Sequence, residues 1–161
     1  MTISRTNLLQ RIMKYCSKSE RCTQDAIIKL QAWGVPEDGV EGILEKLYLE
    51  KFIDDKRYVT SYVTEKWNLD RWGKIKIANS LQQKNLDESL IEEALNLIDE
   101  EAYMKGLHEL LRKKYKEVKS GNSMEDARRV SGFALSRGFE EALIWEWLEK
   151  SSYGEMPDAG I

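Results

Sequence analysis

Apolar residues recur along this chain at spacings of three and four positions, which is the periodicity of an amphipathic helix. The stretch from residue 103 to 115 shows it clearly, with Tyr103, Leu107, Leu110, Leu111 and Tyr115 at helical spacing. No segment alternates apolar and polar residues with the period of two that a half-buried strand shows. The pattern therefore predicts an all-α fold.

A short phrase that ends a helix occurs three times, as Trp33-Gly34-Val35, Lys84-Asn85-Leu86 and Arg137-Gly138-Phe139. The copies are 51 and then 53 residues apart, and apolar residues follow each one at matching distances. Glycine and asparagine tolerate the left-handed conformation that terminates a helix. A fixed period of this size is typical of stacked helical units, which commonly present a binding surface.

Each copy is predicted to separate the second and third helices of a three-helix repeat. We expect three tandem repeats forming an elongated, curved array, over residues 1–53, 54–98 and 99–150, with a flexible tail over 151–161. The predicted helices cover residues 7–17, 24–33, 36–50, 55–67, 74–84, 87–98, 100–118, 124–136 and 140–149. Predicted N-caps are Thr23, an Asp of the 54–55 pair and either Asn122 or Ser123, and the helix that follows Thr23 is predicted to bury Ile27 and Ile28.

The composition supports a buried core, because 42% of the 161 residues are hydrophobic and they include five Trp and seven Tyr. No apolar run approaches the ~20 residues of a transmembrane helix, and the N-terminus lacks a signal-peptide core, which predicts a cytoplasmic protein without membrane contact. Cys16, Cys22 and His108 are too few to form a zinc site. We expect no metal, no cofactor, and two semi-buried thiols rather than a disulfide.

Sequence motifs of common enzymes are missing, since no GxxxxGK[ST], GxGxxG, HExxH or GxSxG occurs. The adjacent Asp54 and Asp55 are the best candidates for acid–base chemistry. Neighbouring residues at a helix start do not face each other, however, and capping is the favoured role. The chain is therefore expected to bind rather than to catalyse.

Charge is distributed unevenly around a net value of −3. Residues 56–84 and 105–137 each carry a net charge of +5, whereas residues 86–101 contain seven Asp or Glu and no Lys or Arg. The third helix of every repeat is acidic. We expect a basic face that meets DNA or an acidic surface and an acidic face that meets a basic protein surface.

Three motifs in the second repeat resemble those of the RecX family, the bacterial regulators of the RecA recombinase. They read Phe52-Ile53-Asp54-Asp55-Lys56-Arg57-Tyr58-Val59, then Trp72-Gly73-Lys74-Ile75-Lys76-Ile77, then Leu81-Gln82-Gln83-Lys84-Asn85-Leu86. In that family Ala is usual at the place of Val59, and Gly-Ile at the place of Asn85-Leu86. Both changes keep the local chemistry. The resemblance covers nearly the whole chain, because family members consist of three three-helix repeats.

The resemblance implies that this protein binds the RecA–DNA filament along its groove and restrains strand exchange and ATP hydrolysis, without being an enzyme. The expected partners are thus the RecA filament and single- or double-stranded DNA, bound weakly or within the filament. A net charge of −3 favours weak DNA binding on its own, since phosphate neutralisation supplies most non-specific affinity. We expect a monomer.

The candidate contact residues are the basic side chains of repeats two and three, together with Trp72. This tryptophan stands in a loop beside Arg71 and Gly73, whereas packing is the favoured role for most of Trp33, Trp67, Trp145 and Trp147. A helical protein–protein adaptor and a stand-alone DNA-binding module remain as alternatives. The full candidate set is Arg57, Lys66, Arg71, Trp72, Lys74, Lys76, Arg112, Lys113, Lys114, Lys116, Lys119, Arg128 and Arg129.

Overall fold

All regular structure in the computed structural model, which describes residues 4–151, is α-helical. This confirms the predicted all-α fold of tandem three-helix repeats. Residue 151 ends the last helix, and the rest of the predicted tail lies outside the described residues. The helices are α1 Arg5–Lys18, α2 Thr23–Ala32, α3 Glu37–Leu49, α4 Asp55–Asn68, α5 Lys74–Gln82, α6 Glu88–Leu95, α7 Glu100–Val118, α8 Ser123–Ser136 and α9 Glu141–Ser151.

The helix ends follow local capping chemistry. Asp99 accepts the Ala102 amide at 2.9 Å and starts α7 where predicted. Asn122, one of two candidates, caps α8 by accepting the Glu125 amide at 3.2 Å. The prediction that Thr23 is an N-cap was wrong, because Thr23 is already the first residue of α2.

Most other predicted helix bounds differ from the structure by one to three residues, and two of them show why. Pro36 precedes α3 as its N-cap and is not the first helical residue. Helix α6 ends at Leu95 rather than Ile98, because the backbone tightens there to bonds between residues three apart. These bonds run from the Leu97 amide to the Ala94 carbonyl and from the Ile98 amide to the Leu95 carbonyl.

The repeated phrase has the backbone conformation predicted for it. The φ angles are 81° at Gly34, 58° at Asn85 and 89° at Gly138, all in the left-handed region. In the first copy the Val35 amide donates to the Leu30 carbonyl at 3.0 Å, and in the third the Phe139 amide donates to Ala134 at 3.2 Å. Both bonds are those of a Schellman motif, which ends a helix and sets the direction of the next one.

Contacts divide the chain into two compact units. The first unit comprises the chain up to Tyr62 together with Leu81–Ile91, and the second comprises Val63–Ser80 and the chain from Glu92 onward. The division passes through α4, α5 and α6, so the second repeat contributes residues to the core of each unit.

The core of the first unit is built on the inner faces of α1, α2 and α3. On α2 the inner face is set by Cys22, Ala26 and Leu30, each fully buried and four residues apart. Ile28, expected inside, is 55% exposed, because a residue two positions from Ala26 points to the opposite side of a helix. Cys16 and Cys22 are both buried free thiols. Ile12, Ile43, Leu47 and Ile53 complete the interior.

The core of the second unit centres on three aromatic rings. Trp67 lies 5.0 Å from Tyr103, and Tyr103 lies 5.4 Å from Phe139, measured between ring centroids. Trp147 is also buried, whereas Trp145 is 41% exposed. On α5, Ile75 is 45% exposed, and Ile77 takes the buried position.

Candidate binding surface

The start of α5 rests directly on the turn between α8 and α9. The Gly73 amide donates to the Arg137 carbonyl at 2.7 Å, and the Ile75 amide donates to the Gly138 carbonyl at 3.0 Å. A Cβ added to Gly73 would lie 2.3 Å from the Gly138 carbonyl oxygen, which is too close for any side chain. This backbone contact holds the loop that carries Arg71 and Trp72 next to the end of α8.

Tyr103 completes the cap of α5. Its phenolic oxygen accepts the Lys74 amide at 3.0 Å, and its hydroxyl donates to the carboxylate of Glu140. Burial, together with this bond to Glu140, raises the pKa of Tyr103 well above its usual value, so the phenol stays a donor. The first amides of α5 are therefore satisfied within the protein and are not open to an anion.

Lysine side chains flank the ring of Trp72. The Nζ atoms of Lys66 and Lys76 lie 4.6 Å and 4.2 Å from its centroid. Lys66 also lies 3.3 Å from Asp70, and Lys74 lies 3.3 Å from Glu100. The structure thus brings Lys66, Trp72 and Lys76 of the predicted set together, and the Trp72 ring is half-buried. Lys66 and the nearby Lys74 are each paired with a carboxylate.

A basic cleft lies between α7 and the end of α8, and it has a volume of about 490 Å³. The Nζ of Lys114 and the guanidinium of Arg137 lie 4.6 Å and 5.0 Å from the ring centroid of Phe133. Lys114 also lies 3.5 Å from the carboxylate of Glu117, whereas Arg137 has no carboxylate within ion-pair distance among residues 4–151. The cation–π contact therefore holds Arg137 in place without neutralising it. The cleft is lined by Arg71, Gly106, Glu109, Leu110, Lys113, Lys114, Glu117, Phe133 and Arg137.

The aromatic core fixes the position of this basic cleft. Arg71 stacks on Trp67, with its Cζ 4.5 Å from the ring centroid. Gly106 lets α7 approach the same ring, since a Cβ there would lie 2.6 Å from the Trp67 side chain. The four cations therefore come from three segments that line one cleft, and they outnumber its two carboxylates.

The remaining candidates lie apart from the basic cleft. Arg129 pairs with Glu125 at 2.8 Å on α8 itself. In the first unit, Arg57 pairs with Glu20 at 2.8 Å and donates to the Lys51 carbonyl at 3.1 Å. Lys116, Lys119 and Arg128 are exposed, and Arg112 is half-buried, all outside the cleft lining.

Six of the nine residues that line the cleft are absent from the predicted set, and Gly106, Phe133 and Arg137 are the three of them that shape it or add positive charge. Arg137 stands inside the repeated phrase, and Phe133 lies four residues before it, on the same helix face. That spacing was readable as a cation–aromatic pair. The approach of α7 to Phe133 and Arg137 could not be predicted from the sequence, because it depends on contacts between distant parts of the chain.

The two adjacent aspartates act as helix caps in the first unit. Asp54 accepts the Arg57 amide at 3.0 Å and caps its own helix. Asp55 accepts the Thr23 amide at 2.8 Å and the Thr23 hydroxyl at 2.9 Å, so it binds the start of α2. Both carboxylates thus bind the amides at a helix start, and capping is the role that the sequence favours.

Lys84 adds a second polar contact in the same unit. Its Nζ lies 3.1 Å from Asp25 and 5.3 Å from the ring centroid of Tyr58. Burial alone would lower the pKa of Lys84, but the bonds to Tyr58 and Asp25 raise it well above its usual range. The ammonium therefore stays charged.

The part of the chain that the structure describes contains neither a metal-binding cluster nor a membrane-spanning helix. Between residues 4 and 151 no three His, Cys, Asp or Glu side chains cluster closely enough to hold a metal ion. None of the helices in that span combines the length and apolar composition that crossing a bilayer requires.

Fold and surface together define a protein of tandem three-helix repeats, with a basic cleft lined mostly by its last repeat. Family models described as the second and third three-helix domains of RecX match residues 54–95 and 101–148. The chain belongs to the RecX family, which confirms the resemblance found in the second repeat.

Curated relatives agree with this assignment. "Regulatory protein RecX" of Clostridium tetani (strain Massachusetts / E88) is 32% identical over 138 residues, which cover 83% of this chain and 60% of the relative. The protein of the same name from Limosilactobacillus reuteri (strain DSM 20016) is 29% identical over 148 residues, covering 92% and 55%. The chain thus spans somewhat over half the length of these relatives.

Two solved structures share the fold. One, described as the crystal structure of regulatory protein RecX, has a TM-score of 0.81 at 28% identity and covers 91% of this chain and 71% of its own. The other, RecX from Lactobacillus salivarius, has a TM-score of 0.82 at 22% identity and covers 93% and 97%.

Proposed function

We propose that this protein regulates the RecA recombinase by binding the groove of the RecA–DNA filament and restraining ATP hydrolysis and strand exchange. Membership of the RecX family supports the choice of partner, because the relatives are named regulatory proteins. The structural observation that carries the proposal is the basic cleft of the second unit, where Arg71, Lys113, Lys114 and Arg137 converge.

The cleft fits an anionic partner. Lys114 and Arg137 are held on the ring of Phe133, so little side-chain entropy is lost when they bind a carboxylate or phosphate. Arginine offers paired N–H groups that match the two oxygens of either anion. Several such contacts at one surface make binding strong at low salt and weak at high salt.

The acidic third helices are the complementary surface in this proposal. On α3 the residues Glu37, Asp38, Glu41 and Glu45 are all exposed, as expected for a face that meets basic protein surface. The same holds for Asp87, Glu88, Glu92 and Glu93 before and along α6, and for Glu141, Glu146 and Glu149 on α9. Glu140 differs, because it is bonded to Tyr103.

Restraint of the filament follows from binding across it. A protein bound to neighbouring subunits favours the filament state to which it binds. Any step that requires those subunits to move is then slowed, and ATP hydrolysis and strand exchange are such steps in this proposal.

The test is to measure RecA ATPase and strand exchange on single-stranded DNA with increasing amounts of this protein. We expect both rates to fall with dose and the inhibition to weaken as salt rises. Unchanged rates at an excess of protein over RecA would reject the function. Oligonucleotide binding without any effect on RecA would favour a stand-alone DNA-binding module.

A further inference from the structure

A second cation–aromatic surface lies on the first unit, on helices α1 and α2. The guanidinium of Arg11 lies 4.2 Å from the ring centroid of Trp33, and that of Arg21 lies 4.0 Å from Tyr15. The Nζ of Lys29 lies near both rings, at 5.1 Å from Tyr15 and 5.8 Å from Trp33. We call these five residues the α1–α2 patch.

The segment of the chain that carries this patch is rich in basic residues. Residues 5–32 contain six Lys or Arg and only two acidic residues, Glu20 and Asp25. Both acids are bonded to residues outside α1 and α2, since Glu20 pairs with Arg57 at 2.8 Å and Asp25 with Lys84 at 3.1 Å.

No carboxylate neutralises the patch itself. Among residues 4–151, Arg11, Arg21 and Lys29 each lie beyond ion-pair distance of every carboxylate. The lysines around Trp72 differ, because Lys66 and Lys74 there are paired with Asp70 and Glu100. The charge of the α1–α2 patch is therefore available to an external anion.

The rings hold these cations in position. Tyr15 and Trp33 pack against the buried core of the first unit and are half-buried, so the rings are fixed. A guanidinium stacked on a fixed ring loses little freedom on binding. The Nε of Arg21 donates to the Tyr15 carbonyl at 3.5 Å, and its terminal N–H groups are left to bind a phosphate. The outer plane of the guanidinium can also stack on a nucleobase.

We propose that the α1–α2 patch binds the backbone of single-stranded nucleic acid. A row of cations interleaved with aromatic rings matches a ligand that offers both phosphates and exposed base faces. An acidic protein surface would use the cations alone, and a duplex would hide its base faces. The patch lies on the first unit, and the basic cleft proposed to bind the RecA–DNA filament lies on the second. Because the two sites are separate, we expect this binding to occur without RecA.

Anisotropy of a labelled oligodeoxythymidine, titrated with the full chain without RecA, tests the proposal. The patch variant is Arg11→Gln with Lys29→Gln. Its control is Lys46→Gln with Lys150→Gln, which removes the same charge elsewhere. Since each neutralised phosphate adds about 0.7 to the salt slope for single strands, the patch variant should have a slope shallower by about 1.4. Its affinity near 100 mM salt should fall at least about ten-fold.

The control variant should stay within about two-fold of the unmodified protein, and thermal unfolding should show that both variants are folded. Equal affinity and slope in the two variants would overturn the proposal. So would loss of RecA-filament binding in the patch variant while oligonucleotide binding persists, because that would assign the patch to an acidic protein. Failure of RecA inhibition alone would overturn the proposed function and leave the patch standing.

Discussion

The two compact units join neighbouring repeats by different means. In the first unit, polar side chains connect repeat one to repeat two, chiefly through Asp55 on Thr23 and Lys84 on Asp25. In the second unit, backbone contact between Gly73 and Gly138 and the ring cluster around Tyr103 connect repeat two to repeat three. The first junction depends on polar side chains, and the second depends mainly on backbone hydrogen bonds and close steric fit.

This difference bears on where basic side chains remain for binding. In the first unit, Arg57 and Lys84 of the second repeat are bonded to carboxylates of the first. In the second unit the junction includes one ion pair, in which Lys74 lies 3.3 Å from Glu100. Arg71, Lys113 and Arg137 have no carboxylate within ion-pair distance among residues 4–151. These three cations of the second unit therefore remain for a partner.

Adding a methyl group at Gly138 is the most severe way to break the second junction. In Gly138→Ala the Cβ would lie 2.2 Å from Cβ and 2.6 Å from the amide nitrogen of Lys76. We expect the free energy of unfolding to fall by about 3 kcal/mol or more, from overpacking together with the left-handed backbone. Urea unfolding measures this.

Gly34→Ala is the matched control, because Gly34 occupies the same place in the repeated phrase. Its φ is 81°, close to the 89° of Gly138, but a Cβ there meets nothing within 4 Å. Only the backbone cost of about 1–2 kcal/mol is expected. Equal losses in the two variants would show that the Gly73–Gly138 contact does not hold the second unit together.

Asp55→Ala is the corresponding break in the first junction. It removes the acceptor of the Thr23 amide and hydroxyl, both part-buried. The Thr23 hydroxyl keeps its bond to the Tyr48 hydroxyl at 2.6 Å, but the Thr23 amide loses its acceptor, which costs about 1–3 kcal/mol. Asp54→Ala removes only the cap of α4 and should cost about 1 kcal/mol. Chemical denaturation of the two variants compares them, and a smaller effect at Asp55 than at Asp54 would contradict the junction.

The Asp25–Lys84 pair makes the first junction sensitive to acid. Burial alone would raise the pKa of Asp25, but the Cys22 amide and Lys84 lower it below its usual value of 3.8. A lowered folded-state pKa means that the stabilisation is complete above the unfolded value and is lost as pH falls below it. The stability difference between the unmodified protein and Lys84→Met should be about 1 kcal/mol at pH 7.

That difference should shrink as pH falls below about 4, where Asp25 takes up a proton in both proteins. Thermal unfolding at a series of pH values follows it. A difference that stays constant from neutral pH to about pH 3 would rule out the charged pair as its source.

Arg57→Gln should have the smallest effect. Its ion pair with Glu20 is exposed, with 42% and 36% of the two side chains accessible. Such pairs contribute about 0.5 kcal/mol and are screened by salt. The loss should therefore vanish in about 1 M salt, and a loss that persists there would indicate that the bond to the Lys51 carbonyl matters instead.

Local features of this fold were predictable because their causes are local. Helix α7 has its predicted bounds, and Gly34, Asn85 and Gly138 take the left-handed conformation expected from residue type. The inner face of α2 was misjudged, since Ile27-Ile28 is too short a run to fix which of its two sides is buried. Ile28 is exposed and Ala26 is buried.

The basic cleft was predictable only in part. Its lysines were visible as a charge run, but the run also contains Lys116 and Lys119, which lie outside the cleft. The Gly73–Gly138 contact and the approach of Gly106 to Trp67 join residues far apart in sequence, and helical periodicity carries no information about them. These contacts decide which cations converge.

The binding of the basic cleft to the RecA–DNA filament is tested most directly by a charge reversal. Lys113→Glu with Lys114→Glu changes the cleft, and Lys46→Glu with Lys150→Glu makes the same charge change outside it. Filament affinity should be measured for both across a range of salt. We expect that only the cleft variant loses at least about ten-fold in filament affinity and shows a shallower salt dependence. Equal affinity and equal salt dependence in the two variants would contradict it.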